Sequence, residues 1–412
     1  MNIALITLLS LVATIAIGYF FNVNTGILGI GMAFIMGQFI VGLNAKEIVG
    51  GFPTSTFVTL LAMTFLFSIA KVNGTLETIA LKIVQLAKGK SKLLPFIFFI
   101  ITGVLSAVGA GPIVAPALIF PIATSVGKRQ GISDILMIIS VTTGGLAGGM
   151  TPFGPSGIIA NNLCAEAGMT NYLPVILTMA TVAVAQFLVL FTIFKGWGIK
   201  NMGTSDEEKI EALNTKQYLT LFVIVCVIIA AMFLKYDIGL CAMLGGGVLL
   251  LCKAADQKPV IAGIPWGTLL LVGGVTVLIK VIDTAGGITL LSDLLSNIMS
   301  EQTAGSVMAV MAGLLSAVSS ASGVVMPTLI PTVTNIASGL GGMAPLILAS
   351  GVIIGAHVVT ISPLSTIGAL GLSSANAETD KNKLFGQQLI CAGVSLAVAF
   401  ALGLIGVYGW FI

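Results

Sequence analysis

The sequence predicts an all-α polytopic membrane protein made of two inverted-topology repeats, each carrying a re-entrant hairpin and a broken helix. Three observations predict it. First, 57% of the 412 residues are hydrophobic and 8% are charged, with a mean hydropathy of +1.11. Apolar runs near the roughly 20 residues that span a bilayer recur along the chain. They do not alternate as barrel strands would. Second, residues 105–121 read LSAVGAGPIVAPALIFP and residues 315–331 read LSAVSSASGVVMPTLIP, so a block and its closing proline return 210 positions later. Third, the basic residues segregate to one side of the topology that this repeat dictates.

In chain order, residues 3–20 and 26–41 are two apolar spans joined by a turn, and 57–70 are a third. The first charged residue is Lys46, so the N-terminus shows no basic signal-peptide region and residues 3–20 read as an uncleaved span. Residues 75–87 are amphipathic, with Leu76, Ile79, Ile83 and Leu86 apolar, and precede Lys88, Lys90 and Lys92. Residues 93–125 hold two apolar arms around Gly109–Pro112, each too short to span, which predicts a hairpin. Residues 132–165 are interrupted at Thr151-Pro152-Phe153-Gly154-Pro155-Ser156-Gly157, where two prolines and two glycines in seven residues stop a helix. Residues 173–194 close a first repeat, 1–195, with scaffold spans in 1–70. A polar connector, 196–216, leads to a second repeat, 217–412. There, scaffold spans lie in 217–282, an amphipathic segment at 288–299, a hairpin in 302–337 and a broken helix in 345–372 interrupted at Ser362-Pro363-Leu364-Ser365-Thr366. Residues 389–410 end the chain.

Matched landmarks hold a nearly constant offset: Gly26 with Gly239, Pro53 with Pro265, Gly74 with Gly286, Gly103 with Gly313, Pro152 with Pro363 and Gly157 with Gly368. Five crossings and one hairpin per repeat give about ten transmembrane helices and invert the second repeat. With the loop after the third span in the cytoplasm, all of the 18 basic residues except Lys46, Lys235 and Lys280 fall inside. Both termini are then extracytoplasmic. The first hairpin enters from the cytoplasm and the second from outside, in a cell (plasma or inner) membrane.

Broken backbone at membrane depth persists only where protein, water or a ligand completes its hydrogen bonds. A helix that restarts after a break turns free N–H groups and a positive dipole end towards an anion. A helix that ends there offers carbonyls to a small hard cation. Paired broken segments in two halves point to the site of a secondary transporter. The candidate anion contacts are Gly111, Pro112, Ile113, Thr151, Pro152, Ser156 and Asn161 in the first repeat. In the second they are Ser322, Gly323, His357, Ser362, Pro363 and Thr366. The candidate sodium contacts are Ser106, Gly109, Ala110, Gly154, Ser316, Ser319, Ser320 and Ser365. No Asp, Glu, Lys or Arg lies in the breaks or hairpin arms, which favours sodium over a proton relay as the coupling ion. His357, the only histidine, could titrate there. Cys164, Cys226, Cys241, Cys252 and Cys391 are scattered without metal-ligand spacing, so no transition metal and no cofactor beyond sodium is expected. A net charge of +3 offers no nucleic-acid surface. With no Asp pair and a single histidine, an intramembrane enzyme is not expected.

Two hairpins, two broken helices and inverted repeats of five spans resemble the ion transporter superfamily, which includes the divalent anion/sodium symporters. The N-terminal half, from MNIALITLLSLVATIAIGYFFNVNTGILGIGMAFIMG through Gly109-Ala110-Gly111-Pro112 to TPFGPSG, more specifically resembles the MatC dicarboxylate (malonate) carrier family. The resemblance implies an elevator mechanism, a homodimer, sodium symport and a C3 or C4 dicarboxylate such as malonate or succinate. The better-known symporters carry Ser-Asn-Thr at their hairpin tips, whereas these tips are Gly109–Pro112 and Ser319-Ser320-Ala321-Ser322-Gly323. Their broken helices carry Thr-Pro followed by Asn. Here Thr151-Pro152 and Ser362-Pro363 stand without it. Two neighbouring readings use the same features: the large membrane subunit of a TRAP-type transporter, and a proton-coupled organic-anion carrier.

Overall fold

A computed structural model describes residues 3–21, 23–85, 91–200, 212–234, 236–317 and 319–412. Lys88, Lys90, Lys235 and most of the 196–216 connector, with its acidic residues, lie outside the described residues. Those described are helical, with no strand among them.

The first repeat runs α1 (Ile3–Phe21), α2 (Thr25–Phe34, continued by a wider turn over Ile35–Val41), α3 (Ala45–Val49), α4 (Thr54–Val72) and α5 (Thr75–Gln85). The hairpin arms follow as α6 (Leu94–Leu105) and α7 (Gly111–Arg129), then α8 (Asp134–Gly149), α9 (Pro155–Glu166) and α10 (Leu173–Ile193). The second repeat answers with α11 (Thr215–Met232), α12 (Ile238–Leu251), α13 (Gln257–Ala262), α14 (Trp266–Thr284) and α15 (Gly287–Ser296). Its hairpin has α16 (Ala304–Ser316) and a return arm holding α17 (Met326–Leu329) and α18 (Val333–Gly339). Then come α19 (Pro345–Val358), α20 (Thr366–Ser373) and α21 (Lys381–Leu404). Matched positions do matched work. Pro53 and Pro265 cap α4 and α14 with nearly identical backbone angles, φ −80° and −78°. Asn24 and Asp237 cap α2 and α12 through their side chains.

The repeats run opposite ways and exchange arms. The Ser68 hydroxyl, near the end of α4, donates to the Val260 carbonyl just before α14 begins (2.7 Å). At the other end, Gly51 precedes α4 and sits against Lys280, near the end of α14. So α4 and α14 cross antiparallel. α2 packs on α14 of the other repeat, and α12 packs on α4. Glycine makes this approach possible: a methyl at Gly26 would lie 2.1 Å from the Leu270 carbonyl oxygen, and one at Gly274 would lie 1.8 Å from that of Gly26. Backbone-to-backbone packing of this kind replaces the hydrophobic drive that lipid cannot supply.

By length and hydropathy, six helices among the described residues could cross a membrane, or seven with the bent second hairpin counted as one span. The expected ten includes shorter apolar helices, among them Thr25–Val41 and Ile238–Leu251. The continuous stretch Ser91–Arg129 also passes that test as a single span, but it folds back. Both arms lie on α8. Gly144 faces Phe99 of the outgoing arm while Gly145 faces Pro116 of the returning one. One turn on, Gly148 faces Gly103 and Gly149 faces Pro112. As α8 advances, the outgoing arm ascends in number and the returning arm descends, which is a hairpin. A hydrogen bond from Ser91 Oγ to Gln130 Oε1 closes its base at 2.6 Å. The reversal uses Gly109 (φ 131°) and Gly111 (φ 73°), angles that L side chains avoid. The second hairpin bends by 119° between α16 and its return arm. It packs on α19 in the same manner, with a methyl at Gly355 falling 1.9 Å from the Ala309 carbonyl oxygen. Its return arm is segmented around Pro327 and Pro331, whereas α7 runs unbroken through Pro116 and Pro121. The closing helix α21 starts at Lys381, earlier than the expected 389, because Asp380 caps it through Asn382 and Lys383 N–H.

Candidate functional site

The hairpin tips and broken helices meet in the interior. Each hairpin is tied to the broken helix of its own repeat by an equivalent bond: Ser106 Oγ donates to the Gly145 carbonyl (2.8 Å), and Ser316 Oγ to the Ala356 carbonyl (2.7 Å). Each break is held tight in the same way. A methyl at Gly157 would fall 1.9 Å from the Thr151 carbonyl oxygen, and one at Gly368 would fall 1.9 Å from that of Ser362. Gly154 and Ser365, which precede α9 and α20, share an extended conformation with ψ 159°.

A cavity of about 260 Å³ lies at this meeting point, and most of its wall comes from the second repeat. Pro112, Ile113 and Ser156 enter from the first repeat. Ser316 to Ser322 of the second tip, His357, Thr360 and the stretch Leu364 to Ile367 complete it, apart from residue 318. The lining contains no Asp, Glu, Lys or Arg. Its volume falls just below the ~300 Å³ at which drug-sized pockets begin, which suits a small solute.

The hydroxyls divide into those already engaged and those free. Ser316 and Ser319 donate to main-chain carbonyls of Ala356 and Leu315. Thr360 donates to His357, and Ser365 to Thr360 and Ser362. Ser320 Oγ and Ser365 Oγ also act as caps, accepting from Gly323 N–H and Gly368 N–H at 3.1 Å each. Among the described residues, the hydroxyls of Ser156, Ser322 and Thr366 have no protein partner. The same holds for the N–H groups of Ala321, Ser322, Thr366 and Ile367. All of these residues line the cavity. They belong to three helical segments that start at its wall, α9 with Ser156 among them, so three positive dipole ends converge there. Ordered N–H groups without cationic side chains make an anion site of modest, reversible affinity.

Several sequence candidates take other positions. Thr151 Oγ1 donates to the Ala107 carbonyl and ties the first break to the first tip. Gly154 abuts Gly111 Cα. Gly109 sits under the Phe67 ring of α4, and Gly323 against Leu271 of α14. Ser106 is fully buried and Ala110 nearly so. Ser362 Oγ accepts from Leu364 N–H at 3.3 Å. Gly111, Pro152, Asn161 and Pro363 are absent from the lining. The neighbouring Asn162 instead donates to Thr56 Oγ1 of α4 (2.9 Å). Thr360, Leu364 and Ile367 were not anticipated. The short tight turn Val359–Ile361 before the break brings Thr360 in, and no sequence signal marks it beyond its distance from Pro363. A larger cavity, about 530 Å³, lies beside the second hairpin's return arm. It is lined by Glu166, Lys280 and Asp283, of which the last two form an ion pair at 3.2 Å.

A clasp holds the first hairpin to the second repeat. Buried Asp134, at the start of α8, accepts from Asn376 N (2.8 Å), Asn376 Nδ2 (2.6 Å) and Thr379 Oγ1 (2.6 Å). Thr124 and Lys128 of α7 bond to Ser374 and Glu378 of the same loop, each within 2.8 Å. The carboxylate is therefore satisfied in full, as a buried charge requires.

The family model described as the N-terminus of the dicarboxylate carrier protein MatC matches residues 1–149. That span holds the first hairpin and α8 but stops short of the second tip and both segments whose N–H groups line the cavity. Among solved structures, the crystal structure of the Alcanivorax borkumensis YdaH transporter, reported to have an unusual topology, is similar over 100% of this chain and 99% of its own. The TM-score is 0.57 at 15% sequence identity. This likeness shows the fold. No curated protein sequence matches the chain.

Proposed function

We propose that the chain is a secondary active carrier of the ion transporter superfamily that imports a small dicarboxylate, malonate- or succinate-like, by sodium symport. The observation that carries this reading is the cavity wall, where four free N–H groups and three free hydroxyls converge in a volume suited to a small acid. The match to a dicarboxylate carrier model over residues 1–149 supports the substrate class. The paired Ser106–Gly145 and Ser316–Ala356 contacts, each with a main-chain carbonyl, are the observation behind a paired sodium role that would also take in Gly109, Ala110, Gly154, Ser319, Ser320 and Ser365. Carbonyl and hydroxyl oxygens suit a hard monovalent cation.

The hairpins with α8, α9, α19 and α20 form the moving unit. α1, α2, α4, α11, α12 and α14 form the scaffold, in a homodimer. Crossing of the scaffold by exchanged arms supports an elevator over a rocking bundle, because it leaves the two tips to slide along α4 and α14. The side rich in Lys and Arg is the cytoplasm.

Reconstitution tests the reading. Purified chain in liposomes should take up radiolabelled malonate or succinate under an inward sodium gradient. Uptake unchanged when potassium replaces sodium removes the coupling. Absence of uptake for every dicarboxylate removes the substrate class. Uptake by the chain alone also excludes a TRAP-type dependence on a soluble binding protein.

A further inference from the structure

The cavity contains one ionisable side chain, and its hydrogen-bond state is set by its own helix. His357 Nδ1 lies 2.8 Å from the Ile353 carbonyl oxygen one turn back on α19. A carbonyl can only accept, so in the neutral ring Nδ1 carries the hydrogen and Nε2 presents a lone pair. Nε2 has no hydrogen-bond partner among the described residues, and the ring lines the cavity.

A fully ionised dicarboxylate fits this wall poorly. Both of its ends are acceptors, and one would meet the Nε2 lone pair. The positive ends of the three helical segments amount to about half a charge each, which offsets one carboxylate in full and the second only in part. A second buried charge without a partner costs several kcal/mol. Sodium could offset that charge, but it would leave Nε2 facing an acceptor.

No other titratable group competes for the role. Around α19, the first-repeat helices α8, α9 and α10 carry Asp134, Cys164 and Glu166. Hairpin two carries none. α21 carries Lys381, Lys383 and Cys391, and the turn after it Tyr408. None of these lines the cavity, and Asp134 is engaged by the clasp.

Resting on the carrier reading above, we infer that the transported species is the singly protonated dicarboxylate. Its carboxylate lies on the free N–H groups and hydroxyls of Ser322, Thr366 and Ser156, and its carboxylic acid donates to His357 Nε2. His357 stays neutral throughout, and the proton travels with the substrate.

The test measures initial uptake of radiolabelled succinate by proteoliposomes at a fixed total concentration below saturation, as pH rises through the second ionisation of the acid. The rate should follow the monoanion, falling about tenfold per pH unit above that ionisation. Succinamate, a permanent monoanion whose amide N–H can donate to Nε2, should compete at all pH values. Monomethyl succinate, a monoanion of similar size without that donor, should compete at least tenfold more weakly. His357→Gln replaces an acceptor fixed by the Ile353 carbonyl with an amide that can also donate to a carboxylate, so its uptake should fall less steeply with rising pH. Uptake that follows the dianion overturns the inference and leaves the carrier reading intact, and so does equal competition by ester and amide. Absence of dicarboxylate uptake at every pH overturns both.

Discussion

The two hairpin tips meet the crossing helices at non-equivalent positions, and this asymmetry sets the stroke expected of the moving unit. Gly109 of the first tip touches Phe67, five residues before α4 ends, and Gly323 of the second touches Leu271, five residues after α14 begins. Because α4 and α14 are antiparallel, both contacts lie towards the same side of the protein, the side of Ser68 and Val260. The repeats are equivalent at an offset of 212 along α4 and α14 (Pro53 with Pro265) and 210 along the hairpins. In a state where the halves exchange roles, Ser319 (equivalent to Gly109) should reach Ile279 (equivalent to Phe67). Ile113 (equivalent to Gly323) should reach Thr59 (equivalent to Leu271). Eight positions separate Leu271 from Ile279 on α14. At ~1.5 Å per residue, the contact would therefore slide by about 12 Å along an upright α14, and by less if it tilts. The assay is mercury-induced cross-linking in membranes, in a background lacking the five native cysteines. The pairs Thr59→Cys with Ile113→Cys and Ile279→Cys with Ser319→Cys should cross-link and stop uptake. Failure of both pairs, in variants that still transport, would refute the exchange of roles and the stroke derived from it.

Three further outcomes follow from local geometry. Gly148→Ala and Gly355→Ala place a methyl about 2 Å from a backbone oxygen and should each cost ~1–3 kcal/mol, read as a lower unfolding temperature in detergent. Gly393→Ala, in the interior of α21 where a methyl meets nothing within 4 Å, should not lower it and should raise it slightly, since Ala favours a helix over Gly by ~1 kcal/mol. Ser322→Ala removes a free cavity hydroxyl and should raise KM about tenfold or more, as loss of a hydrogen bond to a charged group of ~1.5–3 kcal/mol implies. Unchanged KM with intact uptake would move the substrate elsewhere. Asp134→Asn leaves three donors without their carboxylate and should cost ~1–3 kcal/mol, read as earlier proteolysis in the 374–380 loop and a lower unfolding temperature. Equal protease resistance would deny the clasp its role.

Much of the site was legible because backbone breakage in an apolar run has few explanations. The repeated LSAV blocks, Thr151-Pro152 and Ser362-Pro363 marked all four breaks, and the structure brings Ser156, Ser322, His357 and Thr366 from them to one cavity. Thr360 escaped notice because only the tight turn before the break swings it inward. Asn161 was expected from its place after the first break, but neither it nor Asn162 lines the cavity.

The sequence by itself determined the helical membrane class, the duplication and the positions of the breaks. Those depend on composition, periodicity and the conformational limits of glycine and proline, which are local properties. Only the tertiary structure decided which donors are free. Ser320 and Ser365 turn inward to cap their own helices, whereas Ser156, Ser322 and Thr366 remain available. The skew of the cavity towards the second repeat belongs to the same level. It arises because the two halves, though equivalent in sequence pattern, meet the crossing helices at non-equivalent positions, and that placement is a property of packing that no stretch of chain encodes alone.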